Sequence, residues 1–192
     1  MELHSILKDG KLGDFVLSRF TITDNDIVAK VRNGISNGTY MRLTHCGEVV
    51  MSDTDMEKRT NRKFIRDSNG DVLIGGLGIG MIILAIQDKP EVESITVLEK
   101  YTEVIELVGK QLPINEKVNI INADVFDWKP NKGVKYDCIY MDIWNYINYT
   151  VYKAEMLPLI RKYQNYLVPK SKNPNRFIDC WAKKEAKTNS RL

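Results

Sequence analysis

The stretch Asp71-Val72-Leu73-Ile74-Gly75-Gly76-Leu77-Gly78-Ile79-Gly80, continuing through Met81 to Ile86, constrains this chain more than any other. An apolar run short enough for a buried strand turns through closely spaced glycines into a second apolar run that ends at Asp88-Lys89-Pro90, which reads as strand, loop and helix. Glycine can take φ > 0 and lets a ligand approach bare backbone, while the free N–H groups at a helix start point at whatever sits there. Three loop types are separated by spacing. A phosphate-cradling loop needs G-x-x-x-x-G-K-[ST]; Gly75 and Gly80 have the spacing, but Met81 stands in place of the lysine. The dinucleotide fingerprint G-x-G-x-x-G needs its third glycine where Met81 stands again. What remains is G-x-G-x-G at Gly76, Gly78 and Gly80, with Gly75 and Leu77 in the same loop.

The chain beyond this loop alternates. Ile95-Thr96-Val97-Leu98-Glu99 is an apolar run ending in an acid, and Val104, Ile105, Leu107 and Val108 give the next segment a helical face before Pro113. Val118-Asn119-Ile120-Ile121 makes a third strand and Tyr136 to Asp142 a fourth, a pattern that implies a parallel sheet. Tyr152 to Leu167 reads as a helix kinked or restarted at Pro158, and Asn173-Pro174 as the start of a helix through Phe177, Ile178, Trp181 and Ala182. No strand pair is expected after Asp142, so the sheet is expected to be shortened at its C-terminal side.

Residues 1–66 differ. Phe15 to Thr23, Thr39 to Thr44 and Glu48 to Ser52 are strand-like, with a turn at His45-Cys46-Gly47, and Asp53-Thr54-Asp55 offers a cap for a helix from Met56 to Ile65. The expectation is a small β-hairpin module with a linking helix over 1–66 and an α/β Rossmann-like domain, helices on both faces of a mostly parallel sheet, over 67–192.

At 192 residues and 43% hydrophobic content the chain can bury one good core with an appendage. Net charge is +3 with both signs mixed, which argues for neither nucleic acid nor membrane and leaves a nucleic-acid partner open. The basic runs at 57–66 and from Lys170 onward read as solvated faces. Cys46, Cys138 and Cys180 are odd in number and lack a C-x-x-C pair, so neither a disulfide framework nor zinc is indicated. With His4 and His45 in unrelated contexts, no metal site is expected. Without a signal pattern or an apolar stretch of spanning length, the expectation is a cytoplasmic protein.

The G-x-G-x-G loop resembles that of the class I S-adenosylmethionine-dependent methyltransferases and of their relatives the polyamine synthases, such as spermidine synthase. The resemblance covers about residues 40 to 145 and implies S-adenosylmethionine, or its decarboxylated form, as cofactor. Glu99 ends the second strand 19 residues after Gly80, close to the spacing of about 20 expected for an acid that accepts from a ribose diol. Lys100 follows it in the expected cofactor set. After the third strand comes Asn122-Ala123-Asp124-Val125-Phe126; the resemblance implies that Asp124 accepts from the adenine amine while Val125 and the next backbone N–H hold the ring.

The fourth strand resembles that of the polyamine synthases, which ends in an aspartate at the reaction centre, and this implies Asp142 as the residue that orients an attacking amine or takes its proton. Two departures stand beside it. Asn145 occupies the position of a second aspartate in the polyamine synthases, and Ile143-Trp144 does not match their small polar pair. Trp144, Asn145 and Tyr146 are candidates for the substrate wall, while most of the aromatic cluster of Trp144, Tyr146, Tyr149 and Tyr152 reads better as core packing or an oligomer interface, such as that of a homodimer. The leading reading is a methyltransferase of unassigned acceptor. The alternatives are an aminopropyltransferase and a non-catalytic protein that binds an adenosyl ligand or a partner.

Overall fold

The structure, a computed structural model, describes residues 2–189, so Met1 and residues 190–192, which the expected domain bounds include, lie outside the described residues. The chain begins with an antiparallel sheet of β1 (Gly10–Leu12), β2 (Phe15–Ile22), β3 (Gly38–His45) and β4 (Glu48–Ser52), in that order. The short helix α1 (Ile27–Asn33) joins β2 to β3. The turn between β3 and β4 falls where the sequence places it: Cys46 and Gly47 take φ of 50° and 85°, the two positive values that a tight hairpin turn needs.

Helix α2 (Asp55–Asp67) then leads into β5 (Gly70–Gly75), the glycine loop and α3 (Met81–Ile86). β6 (Val92–Glu99), α4 (Thr102–Leu107), β7 (Val118–Asn122) and β8 (Cys138–Met141) follow. The last part comprises α5 (Tyr149–Val151), a π-helical stretch (Tyr152–Met156), α6 (Leu157–Gln164), β9 (Phe177–Cys180) and α7 (Lys183–Thr188). Strands β5 to β9 form one parallel sheet in the order β7-β6-β5-β8-β9. This is the Rossmann-like α/β architecture, with a separate antiparallel sheet at the N-terminus.

Strand residues alternate between two cores because successive side chains leave a strand on opposite faces. Val72, Ile74, Ile95, Val97 and Tyr140 pack with α3 and the N-terminal sheet, whereas Leu73, Leu98, Ile139 and Met141 pack with the helical region from Val151 to Tyr163. Both faces are covered, as a parallel sheet requires.

Two expectations about the last third of the chain are revised. The helix expected from Asn173-Pro174 is absent: Asn173 donates from Nδ2 to Asn69 Oδ1 and Asp137 Oδ1, both at 2.7 Å, and Phe177 to Cys180 run as β9 parallel to β8. The sheet therefore has five strands and gains one, β9, after Asp142. Around Pro158 the helix widens into a π-turn, with the Leu157 N–H reaching Tyr152 O, which accommodates a residue that cannot donate to the ordinary i−4 carbonyl.

Helix α2 is held against the sheet by its buried residues Glu57, Asn61 and Phe64. Phe64 stacks on Tyr140 of β8 with ring centroids 4.2 Å apart, and Asn61 Oδ1 accepts from Tyr140 Oη at 2.9 Å. These contacts fix which face of α2 turns inward.

Candidate functional site

The order of the strands reverses at β5: β6 and β7 extend to one side of it, β8 and β9 to the other. Ligands of such sheets bind in the crevice outside the carboxyl ends of the strands at this reversal. A cavity of about 310 Å³ opens there, of the size that takes a small molecule. Its floor comes from the ends of β5, β6 and β8, and its far wall from Phe15, Leu43, His45 and Met51 of the N-terminal sheet.

The strand ends are tied together. Gly76 N donates to Leu98 O (2.8 Å), Asp142 N to Gly75 O (2.8 Å) and Ala123 N to Glu99 O (2.9 Å). Gly76, Gly78 and Gly80 all have positive φ, at 97°, 52° and 77°, so the three spaced glycines are a backbone requirement of the loop. A Cβ on Gly76 would run into the main-chain oxygen of Asp142, one on Gly78 into the Met51 sulfur, and one on Gly80 into Leu112. The space beside Gly78 holds Met51, which brings the N-terminal sheet directly onto the loop.

Glu99 is buried and lines the cavity. Its Oε2 accepts from Leu77 N (2.9 Å) and its Oε1 from Tyr101 N (2.8 Å), which fixes the carboxylate between the glycine loop and the start of α4. Burial raises its pKa, against the lowering effect of these backbone donors. Each oxygen keeps a lone pair for a ligand hydroxyl.

Asp124 also lines the cavity; its Oδ1 accepts from Phe126 N (2.8 Å) and its Oδ2 pairs with Lys100 Nζ (3.0 Å). Burial acts to raise the Asp124 pKa, but the Phe126 N–H and Lys100 outweigh it and the net shift is downward. A ligand amine would share Oδ2 with Lys100. Val125 is buried between this loop and the sheet, and its carbonyl accepts from Tyr163 Oη at 2.8 Å.

Asp142 follows β8, and its Oδ2 is sealed from water with no hydrogen-bond partner among the described residues. Burial pushes its pKa up to about 7. Of the proposed substrate residues, Trp144 and Asn145 line the cavity, whereas Tyr146 is exposed and lies outside the lining. Trp144 Nε1 donates to Glu155 Oε2 at 2.7 Å, so the indole is held in place by an acid that is itself part of the wall. Gly75, Leu77 and Gly80 stand behind the lining: Gly75 ends β5 against Met141 and Val125, Leu77 reaches the site through its N–H to Glu99, and Gly80 caps α3.

Trp181, Glu155 and Glu57 are among the lining residues that were not singled out from the sequence. Trp181 follows β9, hidden by the helical reading of that segment, and its Nε1 donates to Thr60 Oγ1 at 3.1 Å. Glu155 sits in the π-helical stretch. Glu57 is the most informative, and the spacing of Glu57, Asn61 and Phe64 at i, i+4 and i+7 is the signal that could have found it.

The hairpin turns bring one further group together: Asp14, His45 and Cys46 place ligand-capable atoms within 4.8 Å of one another at the surface, a grouping with no spacing pattern in the sequence.

No family model matches this chain, and no curated protein matches it. Among solved structures it is similar to the plantazolicin methyltransferase BpumL in complex with SAH, at 18% identity over 59% of this chain and 46% of that one, with a TM-score of 0.44. It is also similar to the N-methyltransferase NodS of Bradyrhizobium japonicum WM9 in complex with S-adenosyl-l-homocysteine, at 14% identity over 61% and 59% and a TM-score of 0.44. A third is protein arginine methyltransferase 10 of Arabidopsis thaliana, at 19% identity over 59% and 33%, with a TM-score of 0.43. The chain spans less than two thirds of each of these proteins. No described helix is long and apolar enough to cross a membrane.

Proposed function

We propose that the chain is an S-adenosylmethionine-dependent methyltransferase whose cofactor occupies the switch-point cavity. The observation that carries this is the convergence of Gly76, Gly78, Glu99 and Asp124 on one cavity of about 310 Å³. Glu99 offers the remaining lone pairs of a fixed carboxylate to a diol, and Asp124 offers Oδ2 to an exocyclic amine. Leu98, Ala123 and Val125 supply apolar surface for a planar ring. The lining contains Glu57, Glu99, Asp124, Asp142 and Glu155 against one lysine, Lys100, which suits a positively charged occupant although the chain as a whole carries +3.

The bound cofactor supplies a methyl group on a cationic sulfur, which makes its own leaving group. The chain then has to align an acceptor, exclude water and take up the proton that the acceptor sheds. Asp142, with a pKa raised to about 7 and one oxygen without a partner, is the group suited to hold that proton. Trp144 and Trp181 form the apolar side of the acceptor space.

Incubating the protein with S-adenosylmethionine labelled in its methyl group, and with amine, nucleic-acid and protein acceptors in turn, tests this reading. Transfer of label that Glu99→Ala reduces about tenfold or more at low cofactor concentration supports it. Failure of the folded protein to bind either S-adenosylmethionine or S-adenosylhomocysteine contradicts it.

A further inference from the structure

Glu57 and Asp142 come from opposite sides of the chain's architecture. Glu57 lies in the first turns of α2, directly after the N-terminal sheet, and Asp142 at the end of β8, yet both line the same cavity. Glu57 is 8% exposed. The bonds it receives, from Thr60 Oγ1 (3.1 Å) and Asn61 Nδ2 (3.2 Å), go to its main-chain carbonyl. Its carboxylate has no hydrogen-bond or ion-pair partner among the described residues, and the same is true of the sealed Oδ2 of Asp142.

Two buried acids with no cation between them are costly when ionised. The charged groups nearby do not relieve them. Tyr140 and Cys180 face Asp142 as neutral groups, Tyr140 spends its hydroxyl on Asn61, and Asp179 beyond them is paired with Lys183. Across the cavity, Glu99 and Glu155 add negative charge, Lys100 is committed to Asp124, and His45 stacks on Phe15. The contacts that hold α2 in this orientation, Asn61 and Phe64 on Tyr140, hold Glu57 there with it.

We propose that Glu57 and Asp142 together form a seat for a protonated amine. A primary ammonium carries three donors and one positive charge, which matches two acceptor carboxylates walled by the indoles of Trp144 and Trp181. In its absence the pair retains protons: burial, followed by the Asp142 charge, pushes the Glu57 pKa up to about 8, and burial pushes Asp142 up to about 7. An ammonium therefore enters as the carboxyl O–H bonds of the pair break and their protons pass to water, and no other covalent bond changes. The ammonium has two sources, the amino-acid end of the cofactor or the amine of the acceptor. The seat rests on the methyltransferase reading only for the neighbouring adenosyl site.

Calorimetric titration of the full chain and of Glu57→Gln with four probes separates the cases. S-adenosylhomocysteine carries the amino-acid ammonium and 5′-methylthioadenosine lacks it; benzylamine carries an acceptor-like ammonium and benzyl alcohol lacks it. A loss of tenfold or more for S-adenosylhomocysteine in Glu57→Gln, with 5′-methylthioadenosine unchanged, supports the seat and assigns it to the cofactor. The same loss for benzylamine, with S-adenosylhomocysteine unchanged and benzyl alcohol not binding, assigns it to the acceptor. If Glu57→Gln, folded by its melting curve, leaves both amine-bearing probes unchanged, or if neither of them binds the full chain, the proposal is overturned. Should that variant not fold, Asp142→Asn and the full chain at several pH values take its place: preference for at least one of the two amines over its amine-free counterpart must rise from pH 6 to pH 8 in the full chain and be lower in Asp142→Asn, and a preference that stays flat for both amines overturns the seat. Benzylamine binding that passes these tests while both adenosyl probes fail would leave the seat standing and remove the adenosyl reading.

Discussion

Replacing Glu57 by Gln should stabilise the protein at alkaline pH and leave it unchanged at acid pH. The carboxyl rises from 4.5 in an exposed chain to about 8 in the fold, so the folded state binds the proton more tightly than the unfolded state. Stability then falls as pH rises, because between the two pKa values the unfolded state releases a proton that the folded state keeps. The loss begins above about pH 4.5 and is complete above about pH 8, and at 1.36 kcal/mol per unit it approaches about 5 kcal/mol as a ceiling. Water entry and relaxation of the cavity reduce this to roughly 2–4 kcal/mol. Glutamine keeps the shape without the charge. At a few degrees per kcal/mol for a chain of this size, Glu57→Gln should melt about 5–15 °C higher than the natural chain near pH 8.5 and within a degree or two of it near pH 5. Melting by circular dichroism across this range measures the difference. Parallel curves for the two proteins would refute the buried, unpaired state of Glu57, as would a variant that is less stable at every pH.

Glu99→Ala should weaken adenosyl-ligand binding by roughly 1.5–3 kcal/mol and also lower stability by about 1–3 kcal/mol, because the N–H groups of Leu77 and Tyr101 lose their acceptor; titration and denaturant unfolding separate the two effects. Gly78→Val should lower stability and ligand binding together, since it forces a branched residue to φ near +52° and displaces Met51, and a variant that melts and binds normally would contradict the loop geometry. Asn61→Ala leaves the buried Tyr140 hydroxyl without its acceptor and should cost about 1–3 kcal/mol in denaturant unfolding, while shifting α2 enough to alter the pH dependence carried by Glu57.

The glycine loop was legible because its conformation leaves a trace in residue type: three positive φ values at alternate positions call for three glycines at that spacing. Glu99 was legible for a related reason, since a period of strand, loop and helix fixes where an acid ends the second strand. Strand β9 was not. Four residues are too few for periodicity to separate strand from helix, and Asn173-Pro174 serves a turn as readily as a helix start, the choice being made by Asn69 and Asp137, which are distant in sequence. Glu57 was hidden inside a run of Lys and Arg, and only the docking of Asn61 and Phe64 on Tyr140 turns that single acid inward. Tyr146 follows Asn145 in sequence yet points away from the cavity, a distinction set by the path of a loop that carries no periodic signal.

Isothermal titration of S-adenosylhomocysteine into the protein, with Glu99→Ala alongside, tests the central claim most directly. The account predicts one ligand per chain, competition by S-adenosylmethionine, and an affinity reduced about tenfold or more in Glu99→Ala, following from loss of a hydrogen bond to a charged acceptor. No measurable binding to protein that melts cooperatively, or binding that Glu99→Ala leaves intact, would contradict it.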